Sequence, residues 1–173
     1  MRLPYRCNGG LTIVLAGLGG QGILLMAKAI ASAARKRFEF VCRSEFRGLS
    51  QRGGAVQSCV RFASNPVTSV VDVEEADLIL ALDALEAARA LPYLKQGGLV
   101  VAHVGVVPPL HISRTWQEAG CPKREAQLFS TYVLERFEGI ENVQMLDLDT
   151  LAKKSRVYSR AKLCPTGCGE FIA

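Results

Sequence analysis

Short apolar runs separated by glycine turns and helical repeats set the pattern of this chain. Leu11–Ala16 is a continuous apolar run and reads as a buried strand of a parallel sheet. Gly17-Leu-Gly-Gly-Gln-Gly22 follows at once, and then Ile23–Arg37 places Ile23, Met26, Ala27, Ile30, Ala33 and Ala34 at helical spacing. This is a strand, glycine loop and helix unit. Phe40–Arg43 predicts a second strand, and the polar, glycine-rich stretch Ser44–Gly54 predicts a loop. In Ala55–Phe62 the residues Val56, Ser58, Val60 and Phe62 alternate onto one face, which predicts a half-exposed and antiparallel strand. Asn65-Pro66 marks a break.

Leu78–Leu82 is a further buried strand, entered through the acidic turn Glu74-Glu75-Ala76-Asp77. Asp83 is placed to cap a helix over Ala84–Leu91. Pro92 to Gly98 reads as a turn, Leu99–Ala102 as a strand, Val104 to Cys121 with its Pro108-Pro109 as a loop, and Val143–Leu148 as a late strand. Strands alternating with helices predict an α/β fold, a three-layer Rossmann-like sandwich with a mostly parallel, mixed sheet.

Size and composition narrow this without changing it. At 173 residues the chain fits one domain with a core of its own, here taken as residues 1–150 followed by a basic tail, 151–173. Hydrophobic residues at 49% and charged residues at 21% exclude disorder as the dominant state. Of the net +5, the tail holds +4, from Lys153, Lys154, Arg156, Arg160 and Lys162 against Glu170, which leaves +1 for residues 1–150. A body so close to neutral argues against a nucleic-acid-binding face. No apolar run nears the roughly 18–20 residues of a membrane span, and the start of the chain lacks a signal-peptide pattern. Six scattered cysteines read as reduced thiols, and a cytoplasmic location is expected.

The chemistry concentrates in two loops. Gly17-x-Gly19-x-x-Gly22 has dinucleotide-fingerprint spacing. The first glycine permits the tight turn, the second lets backbone approach a phosphate, and the third lets helix pack on strand. Amides at the helix start would then face an anion. Glu45, near the end of the second strand, is the candidate ribose ligand. The plainer reading is a packing turn that binds nothing. The extra Gly20 and the mid-turn Gln21 depart from a standard cofactor loop. Loops at the carboxyl ends of adjacent strands share a crevice, so Ser44–Gly54 is expected to form one surface with Gly17–Gly22. Arg47 and Arg52 there could pair with carboxylates or phosphates, or Arg52 could tie Glu45 or a loop carbonyl in place. Gly53-Gly54 lets a partner approach the backbone.

Together the loops are specific. Gly-Leu-Gly-Gly-Gln-Gly, then Ser44-Glu-Phe-Arg-Gly-Leu-Ser-Gln-Arg-Gly-Gly-Ala-Val-Gln-Ser58, then Val60-Arg-Phe62, resembles the gamma subunit or domain of 2-oxoacid:ferredoxin oxidoreductases. The form is most similar to the beta subunit of indolepyruvate:ferredoxin oxidoreductase. Ala76–Ala87, Ala90–Lys95 and Gly97–Val101 extend the likeness, which covers roughly residues 10–150. The resemblance implies an accessory subunit of an enzyme that oxidatively decarboxylates a 2-oxoacid with coenzyme A and passes electrons to ferredoxin. It implies thiamine diphosphate, magnesium and iron–sulfur clusters on partner subunits, no catalytic residue on this chain, and a homodimer as one state of the isolated chain. By the same likeness Gly17, Gly19, Gly20, Gln21 and Gly22, with Ser44, Glu45, Arg47, Arg52, Gly53 and Gly54, are motif positions for cofactor binding or subunit contact.

What the residues lack agrees with that. There is no diphosphate site with metal-binding acid and amide side chains, and no four-cysteine cluster run. His103 and His111 read as packing or hydrogen-bonded histidines, and no nucleophile, base and acid group together. After Leu151 the sequence departs from the family. Cys164 and Cys168 there are two of the four ligands a zinc site needs. Two other readings stay open: a stand-alone nucleotide-binding module, and a non-enzymatic interaction domain.

Overall fold

The computed structural model describes residues 10–48, 53–118, 120 and 122–154. Six strands form one mixed sheet: β1 (Gly10–Leu18), β2 (Phe40–Arg47), β3 (Ala55–Ala63), β4 (Ala76–Ala81), β5 (Leu94–His103) and β6 (Val143–Leu146). Their spatial order is β2-β3-β1-β4-β5-β6. β1, β4, β5 and β6 run parallel, while β3 lies antiparallel to both β1 and β2.

The helices are α1 (Ile23–Ala34), α2 (Ala84–Ala90), α3 (Leu110–Glu118), α4 (Pro122–Glu135) and α5 (Leu148–Lys154). Alternate residues of each strand face opposite sides of the sheet, so one strand feeds two cores. Ile13 and Leu15 of β1 join Val56, Val60 and Phe62 of β3 under Ile23, Ala27, Ala31 and Ala34 of α1. Val14 and Ala16 of the same strand join Ile79, Ala81, Val100 and Ala102 under Ala87 and Ala90 of α2, with Phe137 closing the cluster. The result is the expected three-layer α/β sandwich, with α1 on one face and α2 on the other.

The structure corrects four expectations. The second strand does not stop at Arg43: it pairs with β3 through Arg47↔Val56, so Ser44, Glu45 and Arg47 are strand residues. Ladder hydrogen bonds to β3 hold this polar edge strand extended where its composition favours a loop. β3 is antiparallel as read but not half-exposed, because Val56, Val60 and Phe62 pack under α1 and Ser58 and Cys59 are buried as well. The expected turn from Pro92 to Gly98 is shorter. β5 begins at Leu94, and the register against β4 shifts between Ala76 and Leu78. The segment read as a loop from Val104 contains α3, whose first turn follows Pro108-Pro109. A helix start needs no N–H from a proline, and Ile112 and Ser113 both donate to Pro109 O at 3.0 Å. Trp116 packs edge-on against Phe129 of α4, centroids 5.6 Å apart, and so holds α3 to α4.

The amino end of the sheet is tied by charge. Asp77 accepts from Thr12 N–H at 2.7 Å and pairs with Lys95. Arg61 reaches Thr12 Oγ1 at 3.1 Å, Thr68 Oγ1 at 3.3 Å and the Glu75 carboxylate. The Asp72 N–H and the Arg61 guanidinium hold the Glu75 carboxyl below its ordinary range. No described helix is long and apolar enough to cross a membrane.

Candidate functional site

The carboxyl end of the sheet is built from backbone and glycine. Gly17 and Leu18 end β1 and pair with Val56 and Ala55 at the start of β3. Beyond that ladder, Gly19 N–H donates to Gly54 O at 2.8 Å, and Gly53 N–H donates to Gly19 O at 3.4 Å. The two sequence-predicted loops therefore do meet, at Gly19, Gly53 and Gly54. The route differs from the one expected: the strand after the second loop, not the strand before it, lies beside β1.

Three glycines have steric reasons. A Cβ on Gly17 would lie 2.7 Å from both Gln21 Oε1 and Ile23 Cδ1. Gly20 and Gly22 turn the chain with φ of 101° and 85°, a region L side chains rarely adopt. Gly22 is the left-handed N-cap of α1 and offers no side-chain cap. Gln21, between them, folds back on the loop. Its Oε1 accepts from Leu18 N–H at 2.7 Å, and its Nε2 donates to Leu82 O at 3.3 Å.

An open groove of about 570 Å³ runs over this loop, lined by Leu18, Gly19, Gly20, Gly22, Ile23, Leu24, Arg47, Gly48 and Val56. Arg47 is the charge at its rim. It pairs with Glu45 at 2.8 Å, and Arg43 pairs with the other Glu45 oxygen at 2.9 Å. Glu45 sits on β2, two strands from β1, so the strand adjacency behind its ribose reading is not the one found. Ser44 points to its own neighbourhood: its Oγ donates to Ser69 O at 2.8 Å, and its carbonyl accepts from Ser58 Oγ at 2.8 Å. Arg52, Cys164 and Cys168 lie outside the described residues. Exposed apolar side chains stand at the same end of the sheet, Phe46 at 56% and Leu25 at 73%, with Val104 and Val107 beyond β5.

Asp83 anchors the other side of this end. It is buried, accepts from Leu85 N–H at 2.9 Å and Glu86 N–H at 3.1 Å as the predicted cap, and also accepts from Val107 N–H at 2.8 Å. Burial raises its carboxyl above the ordinary range despite these three donors. Burial raises Glu86 as well, against the pull of Arg89 at 2.7 Å. The cap is legible as an acid before a helical run; the tie to Val107, 24 residues on, has no sequence signal.

His103 is hydrogen-bonded, as read. Its Nδ1 lies 3.0 Å from Leu146 O and 3.2 Å from Leu148 N, so the tautomer selects which one it engages. The His111 side chain is not among those described. Cys42 and Cys59 are free thiols, and burial pushes Cys59 up to about 11, far from a reactive thiolate. Among the described residues, no group of three or more His, Cys, Asp or Glu is placed to hold a metal ion.

Comparison with known proteins identifies the family and the fold. The chain is 42% identical over 101 residues to the indolepyruvate oxidoreductase subunit IorB of Pyrococcus horikoshii, a match over 58% of this chain and 50% of that protein. It is 33% identical over 89 residues to the pyruvate/ketoisovalerate oxidoreductases common subunit gamma of Thermococcus kodakarensis, covering 50% of this chain and 48% of that one. The chain thus spans about half the length of the curated relatives it matches. The crystal structure of pyruvate oxidoreductase subunit PORC from Thermotoga maritima superposes with a TM-score of 0.52 over 84% of this chain and 66% of that one. At 16% identity it shows the shared fold. The sequence model of pyruvate ferredoxin/flavodoxin oxidoreductase matches residues 12–161, and with most of its length so matched this chain belongs to that family.

Proposed function

We propose that the chain works as a gamma-type, IorB-like subunit or domain of a 2-oxoacid:ferredoxin oxidoreductase. In that role it supports oxidation of a 2-oxoacid, in the presence of coenzyme A, to an acyl-CoA and carbon dioxide, with two electrons passed to ferredoxin in the cytoplasm. An aryl-pyruvate of the indolepyruvate type is the favoured substrate class, on the strength of the IorB relatives. Thiamine diphosphate, magnesium and iron–sulfur clusters belong to the partner subunits in this reading.

The observation that carries it is the joining of the two motif loops, Gly19 to Gly53 and Gly54, into one platform at the carboxyl end of the sheet. The platform is mostly backbone, sits beside a shallow groove, and is flanked by the exposed Phe46 and Leu25. Glycine surface lets another protein's backbone come close, and exposed apolar residues suit a protein contact. This end of the sheet is accordingly the surface that docks on the thiamine-binding partner.

Reconstitution tests the proposal. The thiamine-binding subunit encoded in the same genome is purified with and without this chain, and indolepyruvate-dependent ferredoxin reduction is measured. The expected result is a stable complex, with activity lost when the chain is left out. A partner that oxidises the 2-oxoacid equally well alone and never co-purifies with the chain would defeat the proposal.

A further inference from the structure

We infer that Gln21 is the positioning residue of the glycine loop: its carboxamide replaces a missing backbone rung between β1 and β4 and closes the crevice there. The β1–β4 ladder runs in parallel register from Ile13↔Leu78 to Ala16↔Ala81, and Leu82 N–H still donates to Ala16 O at 3.0 Å. In a parallel ladder the bonds are evenly spaced, and a residue that donates to position i on its neighbour accepts from position i+2. The next rung would run from Leu18 N–H to Leu82 O.

Instead the side chain of Gln21 stands in that rung. Leu18 N–H donates to Gln21 Oε1 at 2.7 Å, and Gln21 Nε2 donates to Leu82 O at 3.3 Å. Leu18 offers a donor and Leu82 an acceptor, so the side-chain oxygen and nitrogen fit in one orientation only. Glutamate could satisfy Leu18 but not Leu82, and alanine neither. Gly17 makes the insertion possible, since a Cβ there would collide with Gln21 Oε1 at 2.7 Å.

The position is a special one. α1 packs on one face of β1 and α2 on the other, so the β1–β4 boundary is where a doubly wound sheet opens a ligand crevice. Here the carboxamide bridges the mouth of that crevice and uses the Leu18 amide. The loop is thereby shaped from within. It presents Gly19 and Gly20 outward beside Gly53 and Gly54, and its carboxamide occupies the gap between Leu18 of β1 and Leu82 after β4. The loop geometry alone carries this role for Gln21, independently of what docks on the platform.

Amide exchange on the isotope-labelled full chain tests it. Gln21→Ala should speed exchange at Leu18 by at least ~10-fold while Val14 in the core stays unchanged. Gln21→Glu, which keeps the acceptor, should retain most of the Leu18 protection. A general loss of stability would move both variants and both amides together. Leu18 exchange unchanged in Gln21→Ala, or equally fast in both variants, would overturn the inference. The unsubstituted chain gives an independent reading by titration with ADP and NAD. Dissociation constants weaker than ~1 mM are expected; binding tighter than ~100 µM with shifts at Leu18–Gly22 would show an open crevice.

Discussion

The two ends of the sheet solve the same problem with different materials. At the amino end, β1, β3, β4 and β5 are tied by side-chain charge: Asp77 to Thr12 and Lys95, Arg61 to Thr12 and Glu75. At the carboxyl end the glycine loop itself is tied by backbone and a neutral carboxamide, Gly19 to Gly54 and Leu18 to Leu82 through Gln21, while Glu45 with Arg43 and Arg47 and the buried Asp83 supply the charge around it. Ion pairs at the amino end consume charged groups on each other, and Val70 at 58% and Val73 at 64% stand exposed near them. Backbone ties leave a bare surface, here with Phe46 and Leu25 exposed beside it. What distinguishes the carboxyl end is the bare glycine backbone at Gly19, Gly20, Gly53 and Gly54, which another chain can approach closely.

Substitutions at each end sharpen that contrast. The largest effect is expected at Asp83, whose carboxylate serves three N–H donors in a buried place. Asp83→Ala should cost about 2–4 kcal/mol of unfolding free energy by urea denaturation, from lost cap bonds and unpaired buried N–H groups. Asp83→Asn should cost less, and it exposes the pH dependence because its amide does not titrate. Burial raises the folded-state carboxyl above its ordinary 3.8, so the folded chain holds this proton more tightly than the unfolded chain. The contribution is complete below 3.8 and is lost as pH rises through the raised value. Urea midpoints of the parent chain and the Asp83→Asn chain, compared across pH, should therefore shift against the parent as pH climbs from about 4.

Next comes Gly17→Val. The new side chain must displace Gln21 or Ile23, which lie 2.7 Å from its Cβ, at about 1–3 kcal/mol. Partner docking should fall with it, since the platform shifts. Asp77→Ala, at the amino end, should cost about 1–2 kcal/mol by removing the acceptor of Thr12 N–H, yet leave docking intact once the chain is folded. The comparison breaks if Asp77→Ala weakens docking as much as Gly17→Val does. Phe46→Ala is the smallest in stability, within about 0.5 kcal/mol, because the ring is already 56% exposed.

Some of this is legible in the sequence and some is not, for physical reasons. β1, the glycine loop and α1 follow from local pattern: an apolar run, turn residues, and helical spacing in immediate succession. Asp83 as a cap is equally local. The extension of β2 to Arg47 is not, because polar residues there are held by a partner strand rather than by their own preference. α3 is hidden behind Pro108-Pro109, which mark a loop as readily as a helix start. At the site, the sequence predicts the meeting of the two glycine loops but not the strand that brings them together. The role of Gln21 depends on where β4 ends, 61 residues away, and no pattern around residue 21 encodes that.

The central claim is that the carboxyl end of the sheet is the docking face, and one experiment addresses it directly. Binding of the thiamine-binding subunit to Phe46→Ala, Leu25→Ala and Asp77→Ala chains is measured by calorimetry under conditions where all three are folded. The account predicts that Phe46→Ala and Leu25→Ala each weaken binding by about 10-fold or more without lowering the melting temperature, as loss of an apolar contact of roughly 1.4 kcal/mol would give, and that Asp77→Ala binds as tightly as the unsubstituted chain. Full affinity in the Phe46 and Leu25 variants, with loss confined to Asp77→Ala, would contradict it.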